Sequence, residues 1–197
     1  MPVNTFRDLV AHELEQATRQ WDRMNDLADA SGILAEELDE FWDEVRKPAP
    51  ARDPRRLLRE LVQLAAMCQR AVRDLRLIQL VATPLLPHDM PLPEFDAWLD
   101  DAAAEFRADH QRVHTSHAAH TWLRAALRDV YLCLDEGGRK QSILALLALA
   151  KLGALCELFA GSLNLNARID ATCCTGVQHQ PCGTGLQPVN VTEHPST

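Results

Sequence analysis

Two apolar stripes at helical spacing, separated by a proline-rich turn, constrain this chain more than any other feature. Leu34, Leu38, Phe41 and Val45 recur at i, i+4, i+7 and i+11, and Leu57, Leu61, Leu64, Cys68 and Val72 repeat the pattern. That period belongs to helices buried along one face. Between them runs Lys47-Pro48-Ala49-Pro50-Ala51-Arg52-Asp53-Pro54. A connection so short favours neighbours that run in opposite directions, stripe against stripe. Ala and Leu are abundant and β-branched runs are scarce, so the expected fold is all-α, an antiparallel helix bundle.

The polar residues beside the stripes carry the chemistry. Glu37, Glu40 and Glu44 each precede a stripe residue by one position, which sets them about 100° to one side of it. Glu60 and Gln63 precede Leu61 and Leu64 with the same sense. Flanks of the same sense meet only between oppositely directed helices. Glu40 and Glu60 also lie at matching heights, each roughly 9 Å from the turn at about 1.5 Å rise per residue. Glu37 and Gln63 make a second level farther along. Three carboxylates and one amide are expected to converge beside the core. Unpaired, they repel one another, and a hard cation with oxygen ligands, Mg²⁺ or Mn²⁺, relieves that repulsion. The competing reading is a carboxylate-rich, solvated helix face.

The Glu-Glu-x-x-Glu at Glu36 to Glu40 and the Glu-x-x-Gln at Glu60 to Gln63 resemble those of MazG-like nucleotide pyrophosphohydrolases, of the all-α NTP pyrophosphohydrolase superfamily. The stretches Ile33 to Val45 and Leu58 to Met67 carry the resemblance, which extends over roughly residues 5 to 80. In that family an ExxE and an ExxD motif bind magnesium. Glu37 and Glu40 match the first, and Glu60 matches the start of the second. Gln63 stands where the family carries Asp, which removes one negative charge. An amide oxygen can still ligate Mg²⁺ or hold a water. The resemblance implies hydrolysis of a nucleoside triphosphate to monophosphate and pyrophosphate, as nucleotide-pool house-cleaning. Glu37, Glu40, Glu60 and Gln63 would hold the metal, and Glu36 or Glu44 would orient the attacking water. It also implies a homodimer or tetramer.

Arg46, Lys47, Arg52, Arg55, Arg56 and Arg59 cluster around the turn. Complementing a helix C-terminus accounts for Arg46 and Lys47. It does not account for Arg55 and Arg56, which open a helix where cations are disfavoured, so phosphate contact is assigned to those two. Arg19 and Arg23 are candidates to face the site. Trp21 and Trp42 can stack on a base or pack in the core.

Six helices are expected: about Thr5 to Trp21, Gly32 to Arg46 with Ser31 as a possible N-cap, Pro54 to Val81, Pro93 to His114, Ser116 to Leu134 and Arg139 to Ser162. Asp53 as N-cap with Pro54 at the first helical position is a good start signal. Residues 1–82 would form the MazG-like core with its acidic site, and 83–93 a Pro-rich linker. Residues 94–163 would be additional C-terminal helices that complete the bundle or form an interface. Residues 164–197 would be a disordered tail. The apolar stretch Ile143 to Ala160 contains Lys151 and Glu157, and reads as a buried helix rather than a membrane span.

Net charge is −8, which argues against general nucleic-acid binding. Met1 to Val10 lacks the apolar segment of a signal peptide. A cytoplasmic, reducing setting is expected, with Cys68, Cys133 and Cys156 as buried thiols. His110, His114, His117 and His120 share a face only in an unbroken helix, so a solvated polar face is preferred to a zinc site. Cys173, Cys174, His179 and Cys182 fit no strong zinc template. Two rivals stand beside the enzyme: a nucleotide-binding or regulatory protein without turnover, and a structural helical protein of phage type.

Overall fold

A computed structural model describes residues 5–82, 94–110 and 115–165. Its regular structure is all-α: α1 (Phe6–Gln20), α2 (Leu27–Val45), α3 (Pro54–Asp74), α4 (Leu77–Ala82), α5 (Phe95–His110), α6 (Ser116–Leu132) and α7 (Gly138–Ser162). Single 3₁₀ turns lie at Ala49–Ala51 and Cys133–Asp135.

The first three helices begin at side-chain caps. Thr5 and Asp8 form a reciprocal capping box on α1, and Asp53 caps α3 by accepting the Arg55 N–H at 2.9 Å, with Pro54 at the first position. Each cap satisfies donors that a helix start leaves unpaired. Ser31 is not an N-cap. α2 begins five residues earlier, where the Asp26 carboxylate accepts the Asp29 N–H at 2.9 Å. Ser31 is buried inside α2, with its hydroxyl donated to the Leu27 carbonyl at 2.7 Å.

The third expected helix is two. α3 ends at Asp74, and Arg76 adopts a left-handed conformation with φ of 54° before α4 begins. That conformation costs a residue with a Cβ about 1–2 kcal/mol. It turns the chain so that Leu77 and Val81 are buried and α4 packs against α7. The expected linker at 83–93 lies outside the described residues, as do His114 and the tail with Cys173, Cys174, His179 and Cys182.

The α2 and α3 stripes bury as expected: Leu34, Phe41, Val45, Leu61, Leu64 and Cys68 are fully buried. Each such large side chain contributes about 1.5–3 kcal/mol. Contacts between the two helices pair residues ever farther from the turn. The Glu44 carboxylate accepts the Asp53 N–H at 2.7 Å, Glu40 lies beside Glu60, and at the far end the Met24 N–H reaches Asp74 at 3.2 Å. The helices therefore run in opposite directions.

α7 is buried around most of its girth because α3, α4, α5 and α6 all pack on it. Gly153 permits the closest approach: a Cβ there would meet Leu99 at 3.0 Å and Cys68 at 3.8 Å. By length and composition α7 could cross a membrane, yet 67% of its most apolar window is buried by the rest of the protein. The main hydrophobic core joins α1–α4 with α6 and α7, so α6 and α7 share the interior of the first three helices; Leu99 and Ala103 of α5 pack with Ala154 in a smaller cluster. Cys68, Cys133 and Cys156 are free, buried thiols.

Candidate metal centre

On α2, Glu37 and Glu40 are one turn apart on the same edge of the buried stripe, and α3 brings Glu60 to meet them. One carboxylate oxygen from each lies within 4.8 Å of the other two. Glu60 is buried, Glu37 half-buried and Glu40 exposed, so the group has a closed floor and an open mouth. Among the described residues it is the only grouping of His, Cys, Asp or Glu with metal-site spacing.

The electrostatics follow from crowding. Burial pushes the Glu37 carboxyl up to about 8, with further upward pressure from Glu40, Glu60, Glu13 and Glu36. Burial also raises Glu60. Arg59 opposes that shift and Glu40 adds to it. Arg59 grips only one oxygen of Glu60, Oε1, at 3.2 Å from Nε and 2.7 Å from Nη2. Glu60 Oε2 is buried without a hydrogen-bond partner, as are Glu37 Oε2 and Gln63 Oε1. Gln63 lies one turn beyond Glu60 on α3 and is 8% exposed. Buried acceptors left unpaired are uncommon and costly; here two of the three grouped acids carry one each, and Gln63, one turn from Glu60, carries another.

The donor set suits a hard divalent cation. Two oxygens on opposite sides of Mg²⁺, each bonded at about 2.1 Å, are about 4.2 Å apart. The three oxygens, all within 4.8 Å of one another, are close enough to share one such ion after small side-chain rotations.

Other expected site residues are placed differently. Glu44 is buried, but both its oxygens are engaged, one by the Lys47 ammonium and one by the Asp53 N–H. Burial raises its pKa, and these two partners outweigh burial and hold it below the usual carboxylate value. It fastens the turn and is not available to orient water. Glu36 is exposed beside Glu37. Arg55 and Arg56 are exposed at the start of α3, and Arg56 lies one turn from Glu60. Arg52 donates to the Val45 and Lys47 carbonyls at 2.6 and 3.0 Å and so caps α2.

Trp21, Arg19 and Arg23 do not join the site. Trp21 is 57% exposed, and its carbonyl accepts from Arg70 at 2.8 Å. That places it about 15 Å along α3 from Glu60. Arg19 pairs with Glu15 on the surface of α1, and Arg23 donates to the Asp74 carbonyl. Trp42 faces α6 rather than the acids, stacked on His120 at 4.4 Å and edge-on to His117 at 5.5 Å. The imidazole of His120 is therefore half-buried against an indole, where a solvated face was expected.

Glu13 is the residue that sequence reasoning missed. Its charge reaches Glu37 from α1. The signal was present: Glu13 lies three residues after Val10 and four before Ala17, both buried, an acid on the apolar stripe of its helix.

Fold and site together define an all-α protein with a carboxylate seam between two oppositely directed helices. No protein-family model, no curated protein and no solved structure matches the chain.

Proposed function

We propose that the protein is a Mg²⁺-dependent nucleoside triphosphate pyrophosphohydrolase, cleaving the bond between the α and β phosphates to release a monophosphate and pyrophosphate. The observation that carries this reading is the meeting of Glu37, Glu40 and Glu60 with unpartnered buried oxygens. The motif resemblance to MazG-like pyrophosphohydrolases supplies the reaction. On that reading the protein works in the cytoplasm as a homodimer or tetramer.

Glu37, Glu40 and Glu60 would hold the cation, with the Gln63 amide oxygen alongside. A divalent ion there supplies positive charge to the phosphate oxygens and acidifies a water. Arg59 fixes Glu60 so that Oε2 stays free. The exposed carboxylate of Glu40 sits where substrate enters. Glu36, exposed and adjacent, orients the water in the role that Glu44 cannot fill. Arg55 and Arg56, at the N-terminus of α3, receive the leaving pyrophosphate, aided by the helix dipole. The monophosphate is the other product.

A second reading, nucleotide binding without turnover, is favoured by Gln63, whose neutral amide leaves the seam one charge short of the family pattern. Pyrophosphate release over a panel of nucleoside triphosphates, with and without Mg²⁺, separates the two. The enzyme releases pyrophosphate only with the cation, and Glu40→Ala stops release while leaving the helical circular dichroism intact. Binding without release selects the second reading. Release unchanged in Glu40→Ala overturns the proposed site.

A further inference from the structure

Round α2 from the acidic seam, by about 150°, Asp39 and Trp42 face α6 across a cleft of about 790 Å³. That volume lies in the range of small-molecule sites, roughly 300–1,000 Å³. Four of its lining residues are aromatic: Trp42, His117, His120 and Tyr131. The Trp42 indole stacks on His120 at 4.4 Å with 28° between planes, and His117 meets it edge-on. Tyr131 lines the cleft farther along, its hydroxyl donated to the Ser31 carbonyl at 3.3 Å, which fixes the ring. Burial and the nearby Arg124 lower the proton affinity of His120, so it stacks as a neutral ring.

Arg124 and Arg128 line the same cleft. Both are exposed, and neither makes an ion pair or hydrogen bond among the described residues. Spaced i, i+4, they share one face of α6. Among the described residues, Asp39 is the one acid lining the cleft. In a chain of net charge −8, a cationic, aromatic cleft is an exception. From the His120 stack, Arg124 lies about 6 Å and Arg128 about 12 Å along the helix. A planar ring joined through a sugar to a phosphate spans that separation, and a guanidinium pair is a strong receptor for the phosphate.

We infer that the α2–α6 cleft binds a nucleoside monophosphate, its base against the Trp42–His120 stack and its phosphate between Arg124 and Arg128. This site is separate from the acidic seam and does not depend on the catalytic reading.

Isothermal titration of the full chain with adenosine and uridine 5′-monophosphates tests it. EDTA is present, so that the carboxylate seam repels phosphate. The expected result is saturable binding by at least one monophosphate. That binding should weaken about tenfold in each of Arg124→Gln and Arg128→Gln, with circular dichroism unchanged because both side chains are exposed. Inorganic phosphate should compete poorly. Three results overturn the inference: no binding of either monophosphate, binding indifferent to both substitutions, or inorganic phosphate binding as tightly as the nucleotides. The last would show that the aromatic walls contribute nothing.

Discussion

α3 carries buried charge at both ends, and the two ends are built on opposite principles. Toward its C-terminus, Arg70 and Asp74 are both buried and satisfy each other. Arg70 donates to Asp74 at 3.3 Å and to the Trp21 and Asp22 carbonyls, while Asp74 also accepts the Met24 N–H. This network ties the α1–α2 connection to the end of α3. Toward its N-terminus, Glu60 meets only acids, apart from the Arg59 contact on one oxygen. A protein can bury charge cheaply when each group finds an opposite partner, and expensively when it does not. The closed network finds its partners within the protein and needs no ligand. The open one is destabilised by its own charges, which gives a cation something to bind.

Breaking each end should therefore give opposite results. The largest expected effect is Arg70→Met. It leaves three acceptors without their donor, one of them a buried carboxylate, and should cost about 3–5 kcal/mol of stability. Urea unfolding measures this, and a loss under about 1 kcal/mol would show that the closed network is not structural. Next comes Glu60→Gln at the open end. On the proposed reading it lowers Mg²⁺-dependent pyrophosphate release by at least about 100-fold, since even outer partners of metal ligands typically cost 10–100-fold. The same substitution removes a repelled charge, so the metal-free protein should unfold at an equal or higher urea concentration.

The sequence showed the open end better than the closed one, for a physical reason. The acids of the seam lie one position from strongly periodic core residues on two helices joined by a short turn, so spacing alone predicts that they meet. Arg70 and Asp74 find their partners in the irregular Trp21–Met24 segment, where no periodicity fixes the path. The break at Arg76 was equally hidden. No Gly, Pro or Asn marks it, and burial of Leu77 and Val81 against α7 imposes it from a distance. Asp26 did mark the start of α2, with Asp29 three residues on, but the Ser31-Gly32 pair imitated a start closer to the stripe. Glu44 shows the limit of face-level reasoning. It lies on the predicted edge, yet the turn residues Lys47 and Asp53 claim it, and their backbone path could not be read from spacing. The cleft with Trp42, His120 and Arg124 depends on how α6 crosses α2, two elements separated by a long stretch of chain.

A pH titration sharpens the contrast further. Glu37 takes up its proton near pH 8 in the fold and near 4.3 in an unfolded chain. Between those values the folded state holds the extra proton, so metal-free stability falls as pH rises from about 4.3 to 8. Thermal melts in EDTA should show that decline, and Glu37→Gln should flatten it. Excess Mg²⁺ should restore stability at the alkaline end, with proton release on binding below pH 8. A metal-free melting temperature constant across this window would mean that Glu37 is not held among like charges.

The smallest effect, and the most diagnostic of what the amide does, is expected from Gln63→Asp. The new carboxylate would sit one turn from Glu60, on a residue already buried to 8% exposure. Without a cation it adds a fourth carboxyl group to the cluster and should lower stability, modestly, because Asp is shorter and can rotate toward the mouth. With Mg²⁺ present the sign should reverse. One more anionic oxygen ligand strengthens a hard-cation site, and an affinity gain of about tenfold corresponds to roughly 1.4 kcal/mol. Opposite signs with and without Mg²⁺ are the signature of a residue facing the ion. The same sign under both conditions would place Gln63 outside the shell and leave its unpaired oxygen a local packing cost.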